Sequence, residues 1–444
     1  MTWPTRHWLL LLIVSGAMLR ISLLYVYPPL TTPDTGTYHA AARELSGKAD
    51  ASLAPARRTP GYPAFLLLTG GDPRSVVAAQ MALGLLTSAM LFLIALRMGS
   101  RPGVAFAAGA AYDLSVQQLF VEAAVITEPL TTCLLATMTL LLLATLARLR
   151  EGRHTAALAT GVGLLGLATI MVRPQFLYLV LLLPLLVAYA ASGLRWPTLR
   201  SAVHAALVAA PIVLGLFTWG KVVQAKTGHF TMSTQSGFGL VNHSVEFIEL
   251  APPEFATVRD ILLRHRAERV AAAGHAGNTI WYAWPEIQQA TGWSLPEASR
   301  QLQRMSMKMF SEHPMRYAAS VARPWVEFWT VPVIWDPTAL KPVWLRAPLE
   351  LVWAVEHKIV RLTNLAFVLL CAAVLVLPRV RRAVRWDLDA SAIALLVFGS
   401  SVLQALADRG AGSRYAVTLQ ALVVLLVLVS LCRWWSQRRE RTFA

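Results

Sequence analysis

"WLLLLIVSGAMLRISLLYVYPPLTTPDTGTYHAAARELSG", residues 8–47, sets a nearly unbroken apolar run (8–27) against a Pro-Pro break and a polar segment with one carboxylate, Asp34, ahead of its helix-prone half. The run is long enough to cross a hydrocarbon core of about 30 Å as one helix. Pro28-Pro29 follows it where a small-residue cleavage site would be needed, so it reads as an uncleaved signal anchor. Beyond the break, Tyr, Ala and Leu fall on one side of a helical pattern and Arg43 and Glu44 on the other. That predicts a short amphipathic helix on the membrane surface. Asp34 then has two readings: a plain N-cap for that helix, or a carboxylate placed at a membrane edge for chemistry.

The rest of the chain repeats the first run. Apolar stretches recur near 76–96, 103–120, 127–147, 155–172, 176–192, 202–220, 362–378, 390–407 and 415–432, which makes ten spans in all. Of the 444 residues 56% are hydrophobic and 14% charged, far below the roughly 25% charged of soluble domains. The net charge of +16 is explained by position. Arg-rich segments at 97–103, 148–154, 193–200, 378–386 and 433–444 all fall on one side when the N-terminus is placed inside. Both termini are therefore expected in the cytoplasm, and the basic balance serves topology and anionic lipid headgroups rather than nucleic acid. Cys133, Cys371 and Cys432 lie in expected spans and offer neither a disulfide framework nor a zinc cluster.

This alternation divides the chain into an N-terminal transmembrane module (1–220) with a first outer loop (28–75), a large extracytoplasmic region (221–361), and C-terminal transmembrane helices with a basic tail (362–444). In the first loop, "RRTPGYPAFLLLTGGDP" (57–73) predicts a turn and a short helix stopped by Gly70-Gly71. In the second, 227–247 reads as irregular structure with room for a hairpin, and 253–274 and 296–321 as amphipathic helices. The Trp-rich 323–335 fits an interfacial belt. If 318–335 and 345–361 both cross instead, the count becomes twelve. "GVGLLG" (161–166) sits inside a span, where small residues let helices approach, not in a dinucleotide turn.

Several charged residues gather at the expected outer edge, where the loops are too short to need them: Glu122 and Glu128, Arg173, Arg409 and Arg414. The arginines run against the positive-inside trend. A guanidinium grips phosphate oxygens with a planar fork and keeps its charge, so Arg57 or Arg58, Arg173 and Arg414 are candidates to hold a lipid-borne phosphate. A carboxylate within reach takes the proton of an attacking hydroxyl or amine.

The pair "PDTGTYHAAARELSG" (33–47) and "RRTPGYPAFL" (57–66) resembles the lipid-carrier-dependent glycosyltransferases of the GT-C superfamily, in particular the bacterial relatives of protein O-mannosyltransferases and lipid A aminoarabinose transferases. Further matches fall in the family's order at 126–130, 172–179, 228–240, 310–321 and 413–426. The resemblance implies an all-α polytopic bundle of ten to twelve transmembrane helices with amphipathic helices and a mixed loop on the outer face. It implies a catalytic Asp34, an assisting acid at Glu128, and phosphate-binding arginines at Arg58, Arg173 and Arg414. Tyr38, His39, Arg57, Tyr62 and Tyr415 join these as substrate-binding candidates. The implied donor is a polyprenyl-phosphate monosaccharide; the acceptor, an envelope glycan, lipid or protein, stays open. Some relatives bind a divalent metal, for which His39, Glu128 and His243 are the available ligands.

The expectation is an inverting hexosyl- or pentosyltransferase of the bacterial cytoplasmic membrane with its site on the extracytoplasmic side. The alternatives are a lipid-linked sugar flippase or transporter, and a ligase of the same superfamily that uses a diphosphate-linked glycan. Transporters place ionisable groups near the midplane on broken helices, whereas here the acids and arginines are expected at one edge.

Overall fold

The computed structural model describes residues 3–48, 56–193, 198–330, 336–409 and 412–442. Its first half comprises α1 (Trp3–Val26), α2 (Thr35–Leu45), α3 (Gly61–Leu68), α4 (Pro73–Arg97), α5 (Pro102–Asp113), α6 (Val116–Glu122), α7 (Glu128–Arg150), α8 (Ala156–Val172), α9 (Leu179–Ser192) and α10 (Leu199–Thr227). Then follow α11 (Ser236–Ser244), α12 (Ala256–Ala273), α13 (Thr279–Thr291), α14 (Leu295–Glu312) and α15 (Pro314–Thr330). The chain closes with α16 (Arg346–Val376), α17 (Pro378–Ala383), α18 (Leu388–Ala407) and α19 (Gly412–Thr442). Among the described residues eight helices are long and apolar enough to cross a membrane, or nine if a bent pair counts as one, and α8 is a shorter apolar helix. The molecule is an all-α polytopic membrane protein.

Two differences from the sequence reading have clear physical causes. Residues 345–361 and 362–378 are not separate crossings, because α16 is one helix of 31 residues that runs unbroken through the 361–362 boundary. The neighbouring candidate, 318–335, is helical to Thr330 within α15, and 331–335 lie outside the described residues. With its arginines and Glu327, α15 is not among the apolar spans. The irregular structure expected at 227–247 is found only over 228–235, without a hairpin, and α11 and a 3-10 run over Val245–Leu250 fill the second half. The glycines there serve close packing, since a Cβ on Gly237 would lie 1.8 Å from the Ser299 carbonyl oxygen of α14. Among the described residues the one β-type pairing is an isolated parallel bridge between Leu30 and Ala124.

The run at 103–120 is broken. α5 and α6 meet at 56°, and the second helix starts at Ser115, whose hydroxyl accepts from the Gln118 amide. Glu356 of α16 reinforces this start, accepting from the Val116 amide at 2.9 Å and the Gln117 amide at 3.3 Å. Beneath the bend, Arg20 of α1 bonds Asp113 at 2.6 Å and Glu122 at 2.7 and 2.8 Å, all three groups sealed from solvent. Glycine makes the room, because a Cβ on Gly84 would sit 2.1 Å from Glu122 Oε1. In the "GVGLLG" stretch, Gly163 likewise lets α8 approach the Val208 carbonyl of α10, as the small-residue reading expected.

Three apolar clusters position the rest. One fills the bundle, a second joins α11 to α14 through Phe238, Leu262, Ile280 and Leu302, and a third underlies α2 and α3 through Tyr38, Tyr62, Leu66 and Val125.

Candidate functional site

Asp34 stands where α2 begins, but it is not a cap. Its backbone is already helical (φ −78°, ψ −25°) and its side chain makes no capping bond. Oδ1 accepts from Arg58 Nη2 at 2.6 Å, and Oδ2 accepts from Arg414 Nη1 at 2.9 Å. Arg414 Nε donates to Glu128 Oε1 at 3.0 Å. Arg173 Nη1 lies 3.0 Å from that same oxygen, as an ion pair rather than an aligned hydrogen bond. Three guanidiniums thus share two carboxylates, drawn from the loop before α2, the segment before α3, the start of α7, the end of α8 and the start of α19.

Aromatic rings fix the planes of two of these guanidiniums: Arg58 lies 4.6 Å from the Tyr38 ring centroid and Arg173 4.7 Å from that of Tyr415. Burial pushes the Asp34 carboxyl up, but Arg58 and Arg414 outweigh it and hold the group below the usual carboxylate range. Asp34 is therefore held ionised, by the very groups that make it a poor base.

The loop that carries Asp34 is pinned from below. Leu30 exchanges backbone bonds with Ala123 and Val125 at 3.0 and 2.9 Å, and Thr35 Oγ1 donates to the Val125 carbonyl at 3.1 Å. The 122–124 segment is in turn held by Gln80, fully buried in α4, whose Nε2 donates to the carbonyls of Glu122 and Ala124 at 2.9 and 2.7 Å. Gln80 Oε1 accepts from the Tyr62 hydroxyl at 2.8 Å, and the Tyr62 ring meets Tyr38 edge-on at 5.0 Å. One membrane-buried amide thus braces both the Asp34 loop and the ring under Arg58.

Asp34, Tyr38, Arg57, Arg58, Arg173, Arg414 and Tyr415 border a cavity of about 800 Å³, within the usual range for a small-molecule site. Its far wall is the polar segment 227–236 together with Ser299, Arg300 and Gln303 of α14. A smaller cavity of about 350 Å³ lies across the Glu128–Arg414 pair, under Thr31–Pro33 and against α6.

Other sequence candidates sit elsewhere. Tyr62 is sealed and occupied with Gln80, and His39 is not on the cavity wall. Glu122 belongs to Arg20, and Arg409 pairs with Glu246 of the outer helices. His243 is buried against Ser320 at 3.0 Å, and burial, helped by Arg409, pushes its imidazole down to about 4. Among the described residues no three His, Cys, Asp or Glu side chains converge as a metal cradle. Glu128 faces two guanidiniums, a setting that repels a cation. The expected ligand set of His39, Glu128 and His243 does not fit a divalent ion.

Sequence reasoning missed Gln80, Asp408 and Gln235. Gln80 alone carried a signal, as a lone amide inside an apolar span, where a polar group must find an internal partner. Asp408, on the cavity wall, accepts from Asn242 Nδ2 at 2.8 Å and from the Tyr415 hydroxyl at 3.3 Å.

No protein-family model matches the chain, and no curated protein matches it. Among solved structures it is similar to the crystal structure of ArnT from Cupriavidus metallidurans bound to undecaprenyl phosphate. The identity is 13%, the likeness covers 96% of this chain and 78% of that one, and the TM-score is 0.37. At that level the likeness bears neither on the activity nor on the site residues.

Proposed function

We propose that this chain is an inverting membrane glycosyltransferase that moves one sugar from a polyprenyl-phosphate carrier to an acceptor hydroxyl at the extracytoplasmic edge of the membrane. The observation that carries the reading is the Asp34 carboxylate bridging Arg58 and Arg414 on the wall of the large cavity. A carboxylate between two guanidiniums occupies the place a phosphate would take.

The carrier phosphodiester carries one negative charge, and the cluster has one more arginine than carboxylate. The phosphate competes with Asp34 for Arg58 and Arg414. As it takes them, Asp34 loses its counter-charges and its proton affinity rises, so donor binding arms the base. The acceptor oxygen then attacks C1 of the sugar, and the bond from C1 to the phosphate oxygen breaks with its electron pair going to the phosphate. The hydroxyl proton passes to Asp34. The leaving phosphate gains a second negative charge, which the arginines stabilise. A single displacement inverts the anomeric centre. Glu128, sealed beneath, holds Arg173 and Arg414 in register.

The test supplies purified full chain with a radiolabelled polyprenyl-phosphate sugar and a membrane glycan extract. Asp34→Asn is expected to lose transfer by about 10²–10⁴-fold and, with its internal competitor gone, to bind undecaprenyl phosphate more tightly than the wild type. Full transfer by that variant would overturn the mechanism. Labelled lipid crossing vesicles without any transfer would make the chain a flippase, and transfer from diphosphate-linked glycan alone would make it a ligase.

A further inference from the structure

Arg57 and Arg58 are neighbours that serve opposite walls of the cavity. Arg58 turns to Asp34. Arg57 turns to the outer helices, where its guanidinium lies 5.8 Å from the Trp281 ring centroid of α13. With the Gln235 amide oriented to suit its surroundings, Arg57 Nε and Nη2 both donate to the Gln235 side-chain oxygen. Both partners are neutral. Among the described residues no carboxylate is bonded to Arg57, whereas Arg58, Arg173 and Arg409 are each paired with one and Arg414 with two. Asp408, another acid on the lining, is bonded to Asn242 and Tyr415.

A half-buried cation with no carboxylate bonded to it among the described residues, and with Asp34 acting on it only through space, is costly to keep, yet the fold fixes it in place. The Arg57 carbonyl accepts from Ser233 Oγ at 2.8 Å, and the Ala56 carbonyl accepts from the Thr234 amide at 3.2 Å. The segment continues onto α14, where the Gly237 amide donates to Ser299 Oγ at 3.0 Å. Gln235 uses the Nε–Nη2 edge of the guanidinium, and among the described residues no bond is made on the Nη1–Nη2 edge, which presents a second two-pronged donor. The same cavity lining carries the polar side chains of Ser236, Ser299 and Gln303.

We propose, resting on the transferase reading above, that Arg57 forms a second anion subsite, and that the acceptor is a carbohydrate bearing an acidic group, carboxylate or phosphate, which Arg57 grips while a hydroxyl of the same molecule faces Asp34. The single excess charge of the three-arginine cluster already matches the donor phosphodiester, and Arg57, bonded to neither of that cluster's carboxylates, is available to another ligand. The hydroxyls and amides of the same lining match the groups a sugar presents.

Saturation-transfer NMR on the detergent-solubilised full chain tests this with glucuronate, glucose 6-phosphate and glucose as probes. At least one acidic sugar is expected to bind about tenfold more tightly than glucose, a difference of about 1.4 kcal/mol, and to stay bound under saturating undecaprenyl phosphate. Which of the two binds better names the acid. Arg57→Gln should abolish the preference and Arg57→Lys should retain part of it. Equal binding of acidic and neutral sugars by the wild type would overturn the proposal without any variant, as would a preference that survives Arg57→Gln. Displacement of the acidic sugar by undecaprenyl phosphate would also overturn it, assigning Arg57 to the carrier. Failure of the transferase reading shows separately, as a wild-type chain that does not bind undecaprenyl phosphate.

Discussion

Two clusters of arginine and carboxylate lie at different depths of this bundle. Arg20, Asp113 and Glu122 are at most 3% exposed, and none of the three borders the large cavity. In the other, Asp34 and Arg414 are about one-third exposed on a cavity wall, above a Glu128 as sealed as Glu122. The groups are the same, so composition does not distinguish them. Access does: the deep cluster holds a broken helix to its neighbours, whereas the edge cluster opens onto a cavity where, on the proposed mechanism, another anion displaces a carboxylate.

Removing one partner of a sealed pair leaves a buried charge uncompensated, at about 3–5 kcal/mol. Arg20→Met is accordingly expected to lower thermal stability by that much in detergent, with transfer falling only as the folded fraction falls. Replacing Arg20, Asp113 and Glu122 together by apolar residues should recover most of the loss. A variant that kept its stability but lost transfer would show that the deep cluster takes part in the chemistry, and the contrast would break.

Gln80 lies between the two clusters and sharpens the comparison. Gln80→Leu strands the carbonyls of Glu122 and Ala124 and the Tyr62 hydroxyl, a cost of about 1–3 kcal/mol. Because those groups brace the Asp34 loop directly and Arg58 only through the Tyr62 and Tyr38 rings, kcat should drop roughly tenfold with a smaller loss of affinity for undecaprenyl phosphate. An equal loss in both would place Gln80 in carrier binding instead.

The smallest effect is a pH shift. Asp34 is depressed in the free protein, so its ion pairs contribute stability that is complete above its unfolded value of about 3.9 and is lost as pH falls through the lower folded value. The acid limb of kcat/KM should therefore lie below about pH 4. The limb of kcat should lie higher, since it reports the carrier-bound state in which Asp34 has surrendered its arginines. Coincident limbs would mean that the phosphate does not compete with Asp34.

Much of the fold was legible because membrane crossing is written in contiguous residues: all ten apolar runs became helices. Asp34, Arg58, Glu128, Arg173 and Arg414 could be singled out as charges at one edge, and the structure brings them within bonding distance of one another. The break between α5 and α6 was missed, since 103–120 reads as one apolar run, although "SVQQ" (115–118), an N-cap serine with Gln three residues on, marks it. What could not be read was pairing. Arg20 meets Glu122 across 102 residues and Arg414 meets Glu128 across 286, and nothing local in either segment names its partner. The outer helices were misread at 227–247 because glycine there marks contact with α14, which resembles turn composition until the neighbour is seen.

Arg414 has a consequence for how the protein is made. The chain is synthesised from its N-terminus, so Asp34, Arg58, Glu128 and Arg173 are all in the membrane before α19 emerges. Until then Asp34 and Glu128 each have an arginine, but nothing joins them. It is α19 that supplies the residue bonding both acids, so a chain that stalls or is cut before α19 has the parts of a site without its connection.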